Sequence, residues 1–288
     1  MPTTSPATQP IRRLTLRDLH ACADLSEGRG WQRQEHRWGF LLSAGQGYGI
    51  DDPEGGLIAS CVVTEYGPHE RPDLGALGMV LVAERHARQG IGRRLMRHVL
   101  SLKGPTPLTL YATPHGRPLY EELGFKIVGQ SAMLRGQFTP GGPPLRATTR
   151  AATAADLTAI LRLDETVFGA DRTLLITRLP AFADQLRVAE EHGRIIGYAA
   201  VWPSADCHVV GPLIARDQET AKALIASVAA HTDRPLRTDI DVRHEDLVAW
   251  TEERGLASVA VRAVMAYGIT ELPGDWTQRF APLMVATG

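Results

Sequence analysis

The segment 80–96 combines residue types that suit the binding of a diphosphate. A nearly uninterrupted apolar run, 74–83, leads into a turn that contains Gly90 and Gly92, and an amphipathic helical pattern follows at once. Glycines let the backbone approach a ligand closely, and the unpaired N–H groups at a helix start, together with the helix dipole, attract phosphate. Positive charge around the turn comes from Arg88, Arg93, Arg94 and Arg97. The turn is therefore a candidate diphosphate site.

Two glycines alone do not identify the ligand. A dinucleotide fingerprint requires a third glycine where this chain has Leu95, and a Walker loop requires Gly-Lys-Ser/Thr, which is absent here. A strand–helix turn beside a solvated basic helix face would produce the same local pattern. The neighbouring segments are needed to choose between these interpretations.

A second motif lies further along the chain. A predicted strand, 108–112, precedes the string Tyr120-Glu121-Glu122-Leu123-Gly124-Phe125, and the turn itself reads Ala87-Arg88-Gln89-Gly90-Ile91-Gly92. This combination resembles the GNAT superfamily of N-acetyltransferases, whose pyrophosphate motif is Arg/Gln-x-x-Gly-x-Gly/Ala and whose later motif ends in Tyr-x-x-x-Gly-Phe. Ala87 replaces the usual Arg or Gln, so Arg88 or Gln89 could supply the side-chain contact instead.

The resemblance implies a role for each matching residue. Backbone groups of the strand would bind the pantetheine arm and the acetyl carbonyl of acetyl-CoA, and these residues are Val80, Leu81 and Val82. The pyrophosphate would be cradled by Arg88, Gln89, Gly90, Ile91, Gly92 and Arg93. Thr113 stands where many relatives have an Asn that contacts the pantetheine, and Tyr120 matches the general acid that protonates the leaving thiolate of coenzyme A.

These roles agree with the chemistry of acyl transfer to an amine. The amine must be neutral to attack a thioester, and donors from the strand would stabilise the oxyanion. A tyrosine with a pKa of about 10 can protonate a thiolate whose conjugate acid has a pKa of about 8.5 only if proton transfer accompanies C–S cleavage. The alternative role for Tyr120 is an aromatic anchor between its helix and the sheet.

The sequence leaves the general base and the acceptor wall open. Candidate bases bracket the turn between the two central strands, although each could equally be a solvated loop charge: Glu65, His69, Glu70 and Asp73. A water chain to a carboxylate is a further alternative. The segment 29–38 lies where relatives build the acceptor wall, and within it Trp31 and Trp38 are each either a packing residue or part of a substrate pocket.

The chain is long enough for two domains, and its composition marks a boundary near the middle. It has 288 residues, and Thr139-Pro140-Gly141-Gly142-Pro143-Pro144 can continue neither a helix nor a central strand. Similar strings recur on either side, such as Glu121-Glu122-Leu123-Gly124-Phe125 and Glu252-Glu253-Arg254-Gly255-Leu256. We predict a disordered tail at 1–10, a catalytic N-terminal domain at 11–138, a linker at 139–146 and a C-terminal copy at 147–288.

The second copy lacks the phosphate-binding features. Its corresponding turn, Arg216-Asp217-Gln218-Glu219-Thr220, has no glycine and carries two carboxylates where a diphosphate would lie. Thr251 stands near the position that corresponds to Tyr120. The string Leu163-Asp164-Glu165-Thr166-Val167-Phe168-Gly169-Ala170-Asp171-Arg172 resembles that of a tandem GNAT subgroup, with Asp171 as a predicted helix cap. We expect a degenerate domain without an acetyl-CoA site.

Composition excludes several other classes of protein. A net charge of −1 provides no global field for nucleic acid or an anionic membrane, and the longest apolar run is far short of the roughly 20 residues that a membrane span needs. Cys22, Cys61 and Cys207 are few and far apart, which favours a reducing cytoplasm, and Cys61 lies within an apolar strand. Ten scattered histidines without an HExxH motif or a zinc spacing predict no metal site.

From these observations we predict an α/β (α+β) fold of two tandem GNAT-like domains, each a mixed, mostly antiparallel sheet flanked by helices. The predicted activity is that of a cytoplasmic acetyl-CoA-dependent N-acetyltransferase, in which an amine attacks the thioester directly. The expected acceptor is a small-molecule or peptide amine, without nucleic-acid or membrane partners, and the oligomeric state is open, with a homodimer as one option. The alternatives are a non-catalytic acyl-CoA sensor and a partner-binding scaffold.

Overall fold

The computed structural model describes residues 9–288, so most of the predicted tail at 1–10 lies outside the described residues. Within them, the strands are β1 (Ile11–Leu14), β2 (Gln46–Asp51), β3 (Leu57–Tyr66), β4 (Leu74–Val82), β5 (Leu108–Ala112), β6 (Lys126–Gly136), β7 (Thr148–Ala151), β8 (Gln185–Glu191), β9 (Arg194–Pro203), β10 (His208–Ala215), β11 (Leu236–Asp241), β12 (Ala257–Tyr267) and β13 (Arg279–Ala281). The helices are α1 (Leu19–Glu27), α2 (Glu35–Ala44), α3 (Ile91–Lys103), α4 (Arg117–Glu122), α5 (Leu157–Phe168), α6 (Thr173–Ile176), α7 (Leu179–Phe182), α8 (Gln218–Ala229) and α9 (Glu245–Glu252).

All of these strands belong to one sheet that runs through both halves of the chain. Its order is β1-β2-β3-β4-β5-β12-β6-β11-β10-β9-β8-β7, and β13 pairs with β10 beside this path. Strand β12 of the second half lies between β5 and β6 of the first, while β6 lies between β12 and β11 of the second. The two halves therefore exchange one strand each, and neither half completes its sheet alone.

The predicted mixed, mostly antiparallel sheet is confirmed. Among the described strands, the parallel pairs are β4 with β5 and β10 with β11, one in each half. Each pair is hydrogen-bonded over three residues, 75–77 with 108–110 in the first half and 208–210 with 236–238 in the second, and then separates. A gap thus opens at an equivalent place in each half of the sheet.

Helix α3 holds the candidate phosphate turn against the sheet. Its buried residues recur with helical spacing, and they pack on the apolar side chains of β2, β3 and β4: Ile91, Leu95, Met96 and Val99. Burying side chains of this size stabilises the fold by about 1.5–3 kcal/mol each. The opposite face of α3 carries the arginines, and the first turn of the helix is therefore fixed in position beside the end of β4.

The sequence patterns do not predict three of the strands, β2, β7 and β13. Glycine is unfavourable in strands, yet β2 contains Gly47 and Gly49. A Cβ on Gly47 would lie 2.8 Å from the Leu14 Cβ, and one on Gly49 would lie 2.7 Å from a Leu14 methyl group, so packing of Leu14 explains both glycines. The predicted helix 172–182 is divided into α6 and α7, because Pro180 lacks the N–H that a continuous helix needs.

The residues between β6 and β7 contain neither helix nor strand, and this stretch includes the predicted linker at 139–146. It is fastened to the second half, because the Thr139 N–H donates to the Arg254 carbonyl at 2.8 Å and the Arg254 guanidinium donates to the Gly141 carbonyl at 2.9 Å. None of the helices in the described part of the chain is long and apolar enough to cross a membrane.

Candidate active site

Strand β4 turns away from β5 at a bulge. At this point two consecutive residues of β4, Met79 and Val80, face a single residue of β3. Met79 has a φ of +52°, which is rare for a residue other than glycine, and the Ser60 hydroxyl donates to its carbonyl oxygen at 3.0 Å. The bulge ends the pairing with β5 after residue 77 and leaves β4 with one side open to the gap.

The turn between β4 and α3 presents a row of free backbone donors. Among the described residues, the N–H groups of residues 88–93 donate no hydrogen bond, and the first helical bond runs from the Arg94 N–H to the Gly90 carbonyl at 3.0 Å. Arg88 and Gly90 both have positive φ, +60° and +76°, which turns successive N–H groups outward. Backbone donors at a helix start, with the helix dipole, form a site that suits an anion such as a diphosphate.

Gly92 lies where this turn approaches β4. A Cβ at Gly92 would lie 3.5 Å from the side chains of both Val82 and Leu119, an ordinary packing distance. The absence of that Cβ therefore leaves space in front of the free N–H groups. No neighbour within the protein requires this space.

Tyr120 is held on the short helix α4, and its hydroxyl is free. Its ring packs edge-on against Phe125, with ring centroids 6.0 Å apart, and 8% of the residue is exposed. No described residue makes a hydrogen bond to its hydroxyl, although the residue lines the cavity described next. Burial raises the pKa of the Tyr120 phenol well above its ordinary value, so the group keeps its proton at neutral pH.

These parts meet in one cavity of about 910 Å³. It is lined by ten of the eleven site residues that the sequence predicts: Val80, Leu81, Val82, Arg88, Gly90, Ile91, Gly92, Arg93, Thr113 and Tyr120. From Gly78 to the end of β4, half-buried residues alternate with buried ones, as expected for a strand with one side on the cavity. Gln89 is not among the lining residues, and its side-chain amide reaches the Arg85 carbonyl at 3.5 Å.

Sequence reasoning missed the residues at the other end of the cavity, except that Arg37 lies in the segment 29–38, which was predicted to build the acceptor wall. They come from α2, β6, β9, β11, β12 and the segment after β13, and they include Arg37, Met133, Trp202, Arg237, Asp239, Arg262 and Met284. Trp31 also lines this end and is 41% exposed, whereas Trp38 is buried and donates to the Ser26 hydroxyl at 2.9 Å. Of the two tryptophans, Trp31 thus belongs to the pocket and Trp38 to the core.

The four carboxylate and histidine candidates for a general base do not line the cavity. Glu65 is paired with Lys103 at 3.1 Å and accepts a hydrogen bond from Gln46 at 2.7 Å. His69 and Glu70 are exposed in the loop between β3 and β4. Asp73 lines a separate, smaller depression next to residues of the second half. The geometry therefore favours the interpretation of His69, Glu70 and Asp73 as loop charges, whereas Glu65 is a residue of β3 held in an ion pair.

The second half differs from the first at two places, the start of the helix that follows the central strand and the gap between the parallel strands. The Asp217 carboxylate accepts a hydrogen bond from the Thr220 N–H at 2.8 Å, so a negative charge occupies the start of α8. Strand β13 pairs with β10 and lies at the gap where that strand separates from β11. Part of the chain itself thus takes the space that corresponds to the cavity of the first half.

The tandem motif of the second half is a structural cluster. The Arg172 Nε lies 2.9 Å from an oxygen of Asp164, both side chains are buried, and the Tyr198 hydroxyl also donates to Asp164. Asp171 accepts a hydrogen bond from the Thr173 N–H at 2.7 Å, but it lies one residue before the N-cap of α6, which is Arg172 and not the predicted Asp171. Cys61 is fully buried, and burial raises the pKa of its thiol to about 12, so it is a core residue and not a nucleophile.

Comparisons with known proteins agree with this geometry. Residues 45–127 and residues 160–281 each match an acetyltransferase (GNAT) domain, and together they cover more than half of the chain. An uncharacterized N-acetyltransferase of Bacillus subtilis, YitH, is 28% identical over 222 residues, which cover 76% of this chain and 77% of that protein.

Solved structures share the whole fold. A putative acetyltransferase from Pyrococcus horikoshii superposes with a TM-score of 0.80 at 16% identity, covering 100% of this chain and 99% of the other. A tandem GNAT protein from the clavulanic acid biosynthesis pathway has a TM-score of 0.66 at 13% identity, covering 90% and 98% of the two chains. The chain belongs to the GNAT family of acetyltransferases, with one GNAT domain in each half, and is an acyltransferase.

Proposed function

We propose that the protein transfers an acetyl group from acetyl-CoA to a primary amine, and that the reaction takes place in the N-terminal half. One observation carries this proposal: the free N–H groups of the turn, the open side of β4 and the Tyr120 hydroxyl all border the same cavity. Each of the three has a separate use in acyl transfer from a thioester, and the described residues give none of them another partner.

The cavity suits acetyl-CoA, which supplies the activated acetyl group as a thioester. The free N–H groups of residues 88–93 and the Arg88 side chain would hold the pyrophosphate. Beyond them, the gap between β4 and β5 has the backbone of Val80, Leu81 and Val82 along one side and Thr113 on the other. These groups would hold the pantetheine arm and direct the thioester toward Tyr120.

The residues at the gap define the remaining steps. A neutral amine forms the new C–N bond at the acetyl carbon, and a backbone N–H of β4 beyond the bulge stabilises the charge on the acetyl oxygen. As the C–S bond breaks, Tyr120 gives its proton to the sulfur and later recovers one from solvent, while the amine loses one proton to solvent. The products are an amide and free coenzyme A, without a covalent intermediate on the enzyme.

The C-terminal half is proposed to lack a site of its own and to complete the first one. Asp217 and β13 occupy the positions that a diphosphate and a pantetheine would need. In contrast, β11 and β12 provide part of the cavity wall of the N-terminal half. The predicted domain 11–138 would then carry the catalytic groups, and 147–288 would supply much of the acceptor wall.

The experiment compares acetyl-CoA binding and thiol release in two glycine variants. Gly90 and Gly104 lie at opposite ends of α3, both have positive φ, and a Cβ at either would meet no atom within 4 Å. Gly90→Leu places a side chain beside the free N–H groups and should abolish binding, whereas Gly104→Leu, at φ +54° and ψ −121°, carries a greater backbone strain away from the cavity and should still bind. Equal binding by both variants, or thiol release that no amine stimulates, would contradict the proposal.

A further inference from the structure

The acceptor end of the cavity is cationic. Three guanidinium groups, those of Arg37, Arg237 and Arg262, line this end together with a single carboxylate, that of Asp239. The Asp239 oxygens lie 2.9 Å from the Arg237 Nη2 and 2.8 Å from the Arg262 Nη1. One carboxylate cannot neutralise three guanidinium groups, so the cluster keeps an excess of two positive charges.

The strand exchange brings this cluster together. Arg237 and Asp239 are two residues apart on β11, so their side chains lie on the same face of the sheet. On the neighbouring strand β6, Met133 pairs with Asp239, and Ser131, two residues away, pairs with Arg262 of β12. The charged residues of β11 and β12 therefore share one face across β6. Arg37 reaches the same cavity from α2.

Arg37 lies over the Trp31 ring, 5.7 Å from its centroid, but has no hydrogen-bond or ion-pair partner among the described residues. No carboxylate of the described residues forms an ion pair with it, and its Nε is buried without a hydrogen-bond acceptor. Arg237 Nε and Gln34 Oε1, from two other residues that line the cavity, are also buried and unpaired. Burial, with a smaller effect of Arg237, lowers the pKa of Arg37 to about 10 although the charge of Asp239 raises it, so the group is still a cation at neutral pH. A half-buried cation whose Nε is shielded from water and has no acceptor is costly unless a ligand supplies the opposite charge.

We propose that the acceptor is a small amine that also carries a carboxylate or phosphate group, and that Arg37 and Arg237 bind this anionic group. The inference rests on the proposed function, since it names the substrate class of the same cavity. The planar guanidinium group binds either anion through two parallel hydrogen bonds. Polyamines and aminoglycosides are excluded, because their several positive charges would enter a cavity that already has an excess of them.

The same charges favour the reactive form of the amine. A positive environment lowers the pKa of an ammonium group, and the amine attacks only after losing its proton. The remaining walls are large and weakly polar, from Trp31, Trp202, Met133 and Met284. They suit the carbon skeleton between the amine and the anionic group. The positive cluster thus explains how the amine could lose its proton although no unpaired carboxylate of the described residues lines the acceptor end to act as a base.

The test uses matched pairs of amines that differ only in the anionic group. L-α-amino acids are compared with their carboxamides, and O-phosphoethanolamine with ethanolamine, by thiol release from acetyl-CoA with rates expressed per neutral amine. We expect one anionic series to have a kcat/KM about 10- to 100-fold higher than its neutral partners, as for a charge-assisted pair of hydrogen bonds. The two series distinguish a carboxylate from a phosphate acceptor.

Variants at Arg37 assign the preference to this residue. Arg37→Met should raise KM for the anionic amine about 10- to 100-fold and should leave acetyl-CoA affinity nearly unchanged. The anionic and the neutral amine of each pair should then react with similar kcat/KM. Arg37→Lys, which keeps the charge, should recover part of the loss. Arg17→Met is the control, because Arg17 is exposed and lies outside the cavity.

A second measurement does not depend on turnover. The protein saturated with coenzyme A is titrated with the N-acetylated products of the same pairs, and the acids should bind more tightly than the amides in the wild type but not in Arg37→Met. If acetyl-CoA binds and neutral amines are acetylated as well as anionic ones, the inference is overturned while the proposed function stands. If acetyl-CoA does not bind, the proposed function fails and the inference fails with it.

Discussion

Replacing Tyr120 by phenylalanine removes one oxygen atom from the cavity and little else. The hydroxyl makes no hydrogen bond to the described residues, and the ring, which packs on Phe125, is retained. No buried partner is left unsatisfied, so the free energy of unfolding should change by less than about 1 kcal/mol. If Tyr120 is the general acid, kcat should fall by about 10²–10⁴, equivalent to about 3–5 kcal/mol of activation free energy.

The assay is thiol release with a saturating amine, together with a separate titration of acetyl-CoA. Tyr267→Phe is a matched control, because Tyr267 packs on the other side of Phe125, with ring centroids 5.3 Å apart, and does not line the cavity. We expect acetyl-CoA affinity to change by less than about threefold in both variants, and kcat to fall only in Tyr120→Phe. Unchanged turnover in Tyr120→Phe would refute the acid role and would favour the interpretation of Tyr120 as a packing residue.

The pH profile provides an independent check on the same group. Since burial raises the pKa of the Tyr120 phenol, its acid form persists well above pH 10, and kcat should not decline between about pH 7 and 9 through loss of this proton. A decline with a pKa near 9 that disappears in Tyr120→Phe would show that the phenol is not buried during turnover.

Two further predictions concern stability. Asp164→Asn should lower the free energy of unfolding by about 3–5 kcal/mol in chemical denaturation, because it leaves the buried Arg172 without its counter-charge. The acetyl-CoA affinity of the folded fraction should not change. A variant as stable as the wild type would contradict this prediction. Asp52 is buried, which alone would raise its pKa, but the Glu54 N–H, His86 and Arg85 lower the pKa to about 2. Because the folded pKa lies below the unfolded one, its contribution is complete above about pH 4 and is lost as the pH falls toward 2, and Asp52→Asn should flatten acid unfolding in that window.

The sequence predicted those parts of the site whose residues are close together both in the chain and in the folded structure. The Gly90–Gly92 turn, the apolar strand before it and the amphipathic helix after it form one continuous strand–turn–helix segment, so eight of the ten predicted residues that line the cavity could be assigned to one site from this segment alone. The same locality explains why Asp217 could be recognised as a carboxylate at the start of a helix. In such segments the relative positions of the residues follow from their order in the chain.

The features that were not predictable depend on pairing between distant strands. Nothing in the order of residues indicates that β12 enters the first half between β5 and β6, and only this exchange brings Arg262 near Asp239 and both near Arg37. The alternation Arg237-Thr238-Asp239 is a weak signal, since it is equally typical of a strand with a solvated face. The blocked gap of the second half was also hidden, because β13 has only three residues and follows a loop.

The central claim is that the two GNAT domains form a single acetyl-CoA site, in the N-terminal half. Its most direct test is the stoichiometry of acetyl-CoA binding by isothermal titration of the full chain and of two variants, Gly90→Leu and Asp217→Ala. We predict one equivalent per chain for the wild type and for Asp217→Ala, because β13 still occupies the second gap, and no binding for Gly90→Leu. Two equivalents per chain, or one equivalent that survives Gly90→Leu, would contradict the account.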